Sequence, residues 1–83
     1  MPRKKIISKD KFKIELGQRI RVIRKAKGIS IKQLEAMDES IDRSNLSRFE
    51  KGELLPTSYT LLKLATLLEE DISSFYNGKK KED

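Results

Sequence analysis

The sequence predicts an all-α fold, a compact domain of five helices, on three observations. Apolar residues recur at intervals of three and four along most of the chain, no stretch alternates with period two, and capping residues and glycines cut the pattern into short segments. With 83 residues there is room for one small domain, whose thin core favours short connections or support from a partner subunit.

The first helix is expected from about Asp10, as N-cap, to about Lys27, where Gly28 stops it. Phe12, Leu16, Ile20 and Ile23 then share one face. Gly17 lies inside this helix at a cost of about 1 kcal/mol, which predicts close approach of a neighbouring element. Ser30 and Gln33 form a capping-box pattern that opens a second, short helix running to about Asp38. Asp42 is expected to cap a third, from Arg43 to about Lys51, ended by Gly52. Pro56 and Thr57 open a fourth, with Leu61, Leu64, Ala65 and Leu68 on one face. Asp71 caps a last short helix carrying Ile72, Phe75 and Tyr76. The domain is therefore set at residues 10–77, between a flexible basic arm (1–9) and a flexible tail (78–83).

Composition narrows the chemistry. There are no cysteines and no histidines, which removes disulfides, thiolate zinc sites, cysteine nucleophiles and the commonest general base and metal ligand. Neither catalysis, a cofactor nor a metal is expected, and no small-molecule effector is indicated. Membrane association is not expected either, because no apolar run approaches the length of a span and the N-terminus lacks the features of a secretory signal. The expected setting is the cytoplasm, in association with the nucleoid.

The net charge of +6 is unevenly spread: residues 1–32 carry 12 Lys and Arg against two Asp and Glu, while residues 33–78 carry four against nine. A basic half points to a polyanion, nucleic acid before membrane, unless it serves only solubility.

The second and third helices are separated by about four residues, which makes a helix-turn-helix pair. On the third helix Leu46 and Phe49 face the core, and Arg43, Ser44, Ser47 and Arg48 face outward. Such side chains offer directional donors to base edges and phosphates. An exposed helix is polar in any case, so composition alone leaves a solvated face as the alternative.

The stretch LGQRIRVIRKAKGIS at 16–30, followed by Leu34, NLSRFEKG at 45–52, Pro56 and LLKLA at 61–65, resembles the Cro/phage-repressor helix-turn-helix family of XRE-like regulators. The likeness spans roughly residues 14–76, with Arg24, Gly28, Glu50, Gly52, Pro56 and Ala65 at matching spacings. It implies a phage-repressor type of DNA-binding domain whose third helix enters the major groove. By resemblance, Arg43, Ser44, Ser47 and Arg48 read bases. Asn45, Lys51, the amides around Gly52, and Lys32 contact the DNA backbone. The resemblance further implies an ion pair between Arg24 and Glu50. This sequence departs from the family pattern at Ile31, where a glutamine is usual, and at Glu35, where an alanine is usual. It lacks the usual turn glycine, Ser40 being the nearest candidate, and is one residue longer between Leu34 and Glu50, which predicts a bulge between Met37 and Ile41. Glu35, Asp38 and Glu39 bring negative charge near the expected DNA face.

Arg3, Lys4, Lys5 and Lys9 either form an arm along DNA or a solvated tail. Leu54, Leu55, Ile72, Phe75 and Tyr76, with Leu62 and Leu67, are surplus to a small core. They are expected either to form a dimer interface or to close the bottom of the monomer. The reading that results is a sequence-specific, double-stranded-DNA-binding transcriptional regulator, a repressor acting as a homodimer on a palindromic operator. The alternative is an antitoxin or adaptor-type protein-interaction module on the same fold, which the acidic turn favours.

Overall fold

The first helix, α1 (Lys9–Ala26), is held at its start by Ser8, whose hydroxyl accepts from the Lys11 N–H at 3.1 Å. Ser8 is thus the N-cap, and Asp10, expected in that role, lies in the first turn, where its charge suits the helix dipole. The computed structural model describes residues 6–76; Arg3, Lys4 and Lys5 of the expected arm and the 78–83 tail lie outside them. The other helices are α2 (Ile31–Met37), α3 (Arg43–Glu50) and α4 (Ser58–Leu68). No strand occurs among the described residues.

Instead of a fifth α-helix the described residues close with a 3₁₀ turn, Ile72–Phe75. The Asp71 carboxylate accepts from the Ser73 N–H, and the next bonds run from Ser74 to Asp71 and from Tyr76 to Ser73, each spanning three residues. Four residues are too few for a stable ladder of four-residue bonds, so the tighter helix forms.

One face of each helix makes the core. Leu16 and Ile20 from α1, Leu34 from α2, Leu46 and Phe49 from α3, Leu61, Leu64, Ala65 and Leu68 from α4, with Ile41 and Phe75, are buried together. Phe12, Ile23, Leu54, Leu55, Leu67 and Ile72 pack around this cluster half-buried. Phe75 is therefore not a dimer-interface residue: its ring is 0 % exposed, enclosed by the monomer's own helices. Tyr76 stays exposed, with its ring parallel to that of Phe12 at 6.1 Å between centroids. The 3₁₀ turn is tied to α1 by Arg19, which donates to the Phe75 carbonyl at 2.8 Å.

α1 crosses the end of α3 so closely that Gly17 touches backbone. A Cβ at this position would stand 2.1 Å from the Phe49 carbonyl oxygen and 3.1 Å from that of Glu50. The glycine expected to admit a neighbour thus admits the C-terminal turn of α3.

Candidate nucleic-acid interface

Between α2 and α3 the chain turns through residues 38–42. The Ser30–Gln33 capping box opens α2 as expected, with Ser30 N–H donating to Gln33 at 2.7 Å and Gln33 N–H to Ser30 at 3.0 Å. At the far end α2 stops at Met37, and Asp38 adopts an extended conformation with φ −151° and ψ 114°. The connection turns here. The Asp38 carboxylate accepts from the Ser40 N–H at 2.9 Å and the Ser40 hydroxyl at 2.7 Å, and the Ile41 N–H donates to the Asp38 carbonyl at 3.0 Å. Such an Asx turn closes the chain without a left-handed residue, so the usual glycine is not needed. Lys63 of α4 donates to Ser40 and lies 3.8 Å from Asp38. The Ser40 hydroxyl and amide, with the Lys63 charge behind them, hold the Asp38 carboxyl below the usual aspartate range.

The start of α3 is unlike the expectation. Asp42 occupies the N-cap position, but its side chain makes no capping bond. A carboxylate from α2 takes part of that role: Glu35 Oε2 accepts from the Arg43 N–H at 3.3 Å, while Oε1 lies 3.4 Å from Arg43 Nε. In the sequence Glu35 is an acidic residue near this face with no evident partner.

The end of α3 is fixed more deeply. Arg24 donates from Nε to Glu50 Oε2 at 2.7 Å and from Nη2 to Oε1 at 2.9 Å, and its Nη1 donates to the Ile29 carbonyl at 2.8 Å. The two side chains are 9 % and 6 % exposed. The paired guanidinium is held above its ordinary value by the bond to Glu50, against the opposing effect of burial. Past this pair the chain leaves α3 through Gly52 at φ +76°. The Gly52 N–H donates to the Phe49 carbonyl at 3.1 Å and the Glu53 N–H to that of Arg48 at 2.9 Å, the two hydrogen bonds of a glycine-closed helix end. This corrects one expectation: the amide at Gly52 is turned into α3 and not toward a phosphate. Lys51 beside it is exposed.

With both ends fixed, α3 turns Leu46 and Phe49 inward and leaves Arg43, Ser44, Asn45 and Arg48 exposed and Ser47 half-exposed. Ile31, Glu35, Asp42, Arg43, Ser44, Ser47, Arg48 and Lys51 line a single open hollow across the helix-turn-helix pair. Asn45 does not line it, and neither does Lys32, which is exposed on the first turn of α2. Arg48 Nε stands 3.9 Å from a Glu53 carboxylate oxygen. Leu54, Leu55 and Ile72 lie away from this hollow, half-buried against the core.

Among the described residues no helix is long and apolar enough to cross a membrane, and no group of acidic side chains is placed to hold a metal ion.

The chain matches the helix-turn-helix domain family over residues 17–81. It is similar in structure to the restriction-modification controller protein C.AhdI from Aeromonas hydrophila, with 34 % identity and a TM-score of 0.69, covering 75 % of this chain and 92 % of that one. A second similar structure is an HTH_3 family transcriptional regulator from Vibrio cholerae, with 29 % identity and a TM-score of 0.76. That match covers 83 % of this chain but 38 % of the regulator's length. The DNA-binding domain of BldD shares the fold at 20 % identity and a TM-score of 0.74, covering 82 % of this chain and 97 % of that one. Comparison with curated protein sequences gives no significant match. A turn-linked pair of short helices, an outward polar helix and a family match over most of the chain agree: this chain belongs to the XRE-like helix-turn-helix family of DNA-binding transcriptional regulators.

Proposed function

We propose that this protein is a sequence-specific repressor that binds a palindromic operator in double-stranded DNA as a homodimer, on the nucleoid in the cytoplasm. One observation carries the reading: α3 offers Arg43, Ser44, Ser47 and Arg48 to one open hollow, which Lys51 also lines. Arginines suit the paired acceptors of a guanine edge, and serines add shorter hydroxyl contacts. Asn45, Lys51 and Lys32 hold the backbone, which positions the helix without carrying sequence information. A dimer sets two such helices about one helical turn apart, over half-sites of the same spacing. Its interface is formed by Leu54, Leu55, Ile72 and Tyr76. Occupancy of the operator then blocks polymerase.

The test is a fluorescence titration with two duplexes, one selected by the protein from a randomised library and one of scrambled sequence. Arg43→Ala and Arg48→Ala are each expected to cost about 1–3 kcal/mol on the selected duplex and little on the scrambled one. Lys51→Ala is expected to weaken both alike and to flatten the log–log salt slope by about one ion. If all three substitutions leave binding unchanged, α3 is not the reader, and an adaptor that binds a protein partner becomes the better account. Sedimentation at micromolar concentrations checks the dimer, which Leu55→Glu is expected to weaken. A strict monomer at hundreds of micromolar overturns it.

A further inference from the structure

Both arginines offered by α3 are met by a carboxylate of the same chain. Glu35 lies 3.4 Å from Arg43 Nε, and Glu53 lies 3.9 Å from Arg48 Nε. The first contact is the closer, and it is reinforced by the 3.3 Å bond from the Arg43 N–H to the same Glu35 carboxylate. Glu35 also lines the hollow across α2 and α3, and Arg43 remains 58 % exposed while paired.

This placement has a consequence for recognition. An exposed guanidinium at the first turn of a helix attracts any phosphate, because both the cation and the backbone amides favour an anion there. A carboxylate at the same spot repels every phosphate that approaches, whatever the sequence. It competes less well with a guanine edge, whose two acceptors match the guanidinium fork directionally. A like-charged neighbour therefore penalises the wrong contact more than the right one, which is how repulsion generates selectivity.

We propose that Glu35 is a specificity-determining residue, which withholds Arg43 from the phosphate backbone and leaves it to a base edge. Glu53 acts in the same sense, more weakly, on Arg48. The inference rests on the DNA-reading role of α3 argued above.

The full chain and its Glu35→Gln, Glu53→Gln, Arg43→Ala and Glu35→Gln/Arg43→Ala variants are titrated with the selected and the scrambled duplex at several salt concentrations. Glutamine keeps the length of Glu35 and an acceptor for the Arg43 N–H, and circular-dichroism melts verify the fold. Glu35→Gln is expected to tighten the scrambled duplex by about two- to fivefold, the scale of one exposed charge contact, and the selected duplex by less. Discrimination then falls. Glu53→Gln moves the ratio the same way by a smaller factor. In the Arg43→Ala background, Glu35→Gln no longer affects the scrambled duplex. A discrimination ratio that holds level or rises in Glu35→Gln overturns the inference. So does an effect that persists without Arg43, which is general charge alone. If the unmodified chain binds no duplex selectively, the DNA reading itself falls and the inference with it. Selective binding with an unchanged ratio removes the inference only.

Discussion

The two ends of α3 are held in opposite ways. Its C-terminal end is clamped by a largely buried Arg24–Glu50 pair, by the backbone contact at Gly17 and by the glycine-closed exit at Gly52. Its N-terminal end, where the chain enters the open hollow, rests on more exposed charge contacts: Glu35 with Arg43, and Lys63 with the Asp38–Ser40 turn. Buried contacts are hard to rearrange because an orphaned charge stays desolvated, whereas exposed ones are replaced by water at little cost. The C-terminal end thus sets where α3 sits on the domain. The N-terminal end can exchange its contacts for others at little cost.

The largest effect is expected from breaking the clamp. Arg24→Ala or Glu50→Ala leaves one charge buried and unpaired, which typically costs about 3–5 kcal/mol. That approaches the whole stability of a domain this small, so thermal melts are expected to show little or no folded protein near 37 °C. Arg24 has a further partner in the Ile29 carbonyl, so losing it also loosens the entry to α2. Replacing both residues together is expected to cost less than the sum of the single losses, since neither charge is then stranded. Additive effects below 1 kcal/mol overturn the clamp.

Gly17→Ala attacks the same end through sterics. Alanine improves the intrinsic helix propensity of α1 by about 1 kcal/mol. However, its Cβ would stand 2.1 Å from the Phe49 carbonyl oxygen, and backbone cannot swing away as a side chain can. Separating α1 from α3 is expected to cost about 1–3 kcal/mol net, read as a lowered Tm. A neutral or raised Tm shows that the crossing is looser than the contact implies.

Much of the clamp was legible in the sequence, and little of the N-terminal end was. A helix repeat places Leu16 and Ile20, or Leu61, Leu64, Ala65 and Leu68, on one face, and these residues are indeed buried. Gly17 within a helix pointed to a close neighbour by its propensity cost alone. Arg24 and Glu50 are 26 residues apart, and no local rule pairs them; they came with the family resemblance. By contrast, Lys63 meets Ser40 across 23 residues only because α4 folds beneath the turn. Glu35 was visible as an acidic residue near the face, but its direction depends on how α2 sits against α3. In the sequence Phe75 looks like a surplus apolar residue, because a pattern does not distinguish a core that closes on itself from one that needs a partner. Ser8 and Asp10 are both competent caps, and the helical ladder beginning at Ser8 decided between them.

A smaller effect is expected away from α3, where α4 leaves its last turn at Glu69 with φ +56°. A non-glycine residue in the left-handed region costs roughly 1 kcal/mol. Glu69→Gly is therefore expected to raise stability by up to about 1 kcal/mol while leaving both ends of α3 unchanged, since the bonds Glu69 makes, its N–H to the Thr66 carbonyl and its carbonyl from Lys27, belong to its backbone. A lower Tm in this variant shows that the Glu69 side chain, rather than its backbone, matters.

The smallest effect, and the one that isolates the N-terminal end, is a pH dependence of the turn. Asp38 is held below the usual aspartate range, first by the Ser40 hydroxyl and backbone amide and then by Lys63. The folded state therefore prefers the carboxylate, and the unfolded chain titrates at the ordinary value of about 3.9. The contribution of the turn to stability is fully present above that value and is lost as pH falls through the lower folded value. At neutral pH no dependence is expected. Carboxyl-carbon NMR should give an Asp38 midpoint below about 3.9, and Ser40→Ala should move it back toward that value by removing the hydroxyl contact. Amide exchange supplies the contrast between the two ends: below the Asp38 midpoint the Ile41 and Arg43 amides should exchange faster, while those of Phe49 and Glu50 hold. An Asp38 midpoint at or above the ordinary value means that the turn is not closed by its carboxylate. If the Phe49 and Glu50 amides loosen together with those of Ile41 and Arg43, α3 opens as one unit, and the difference between its two ends is not energetic.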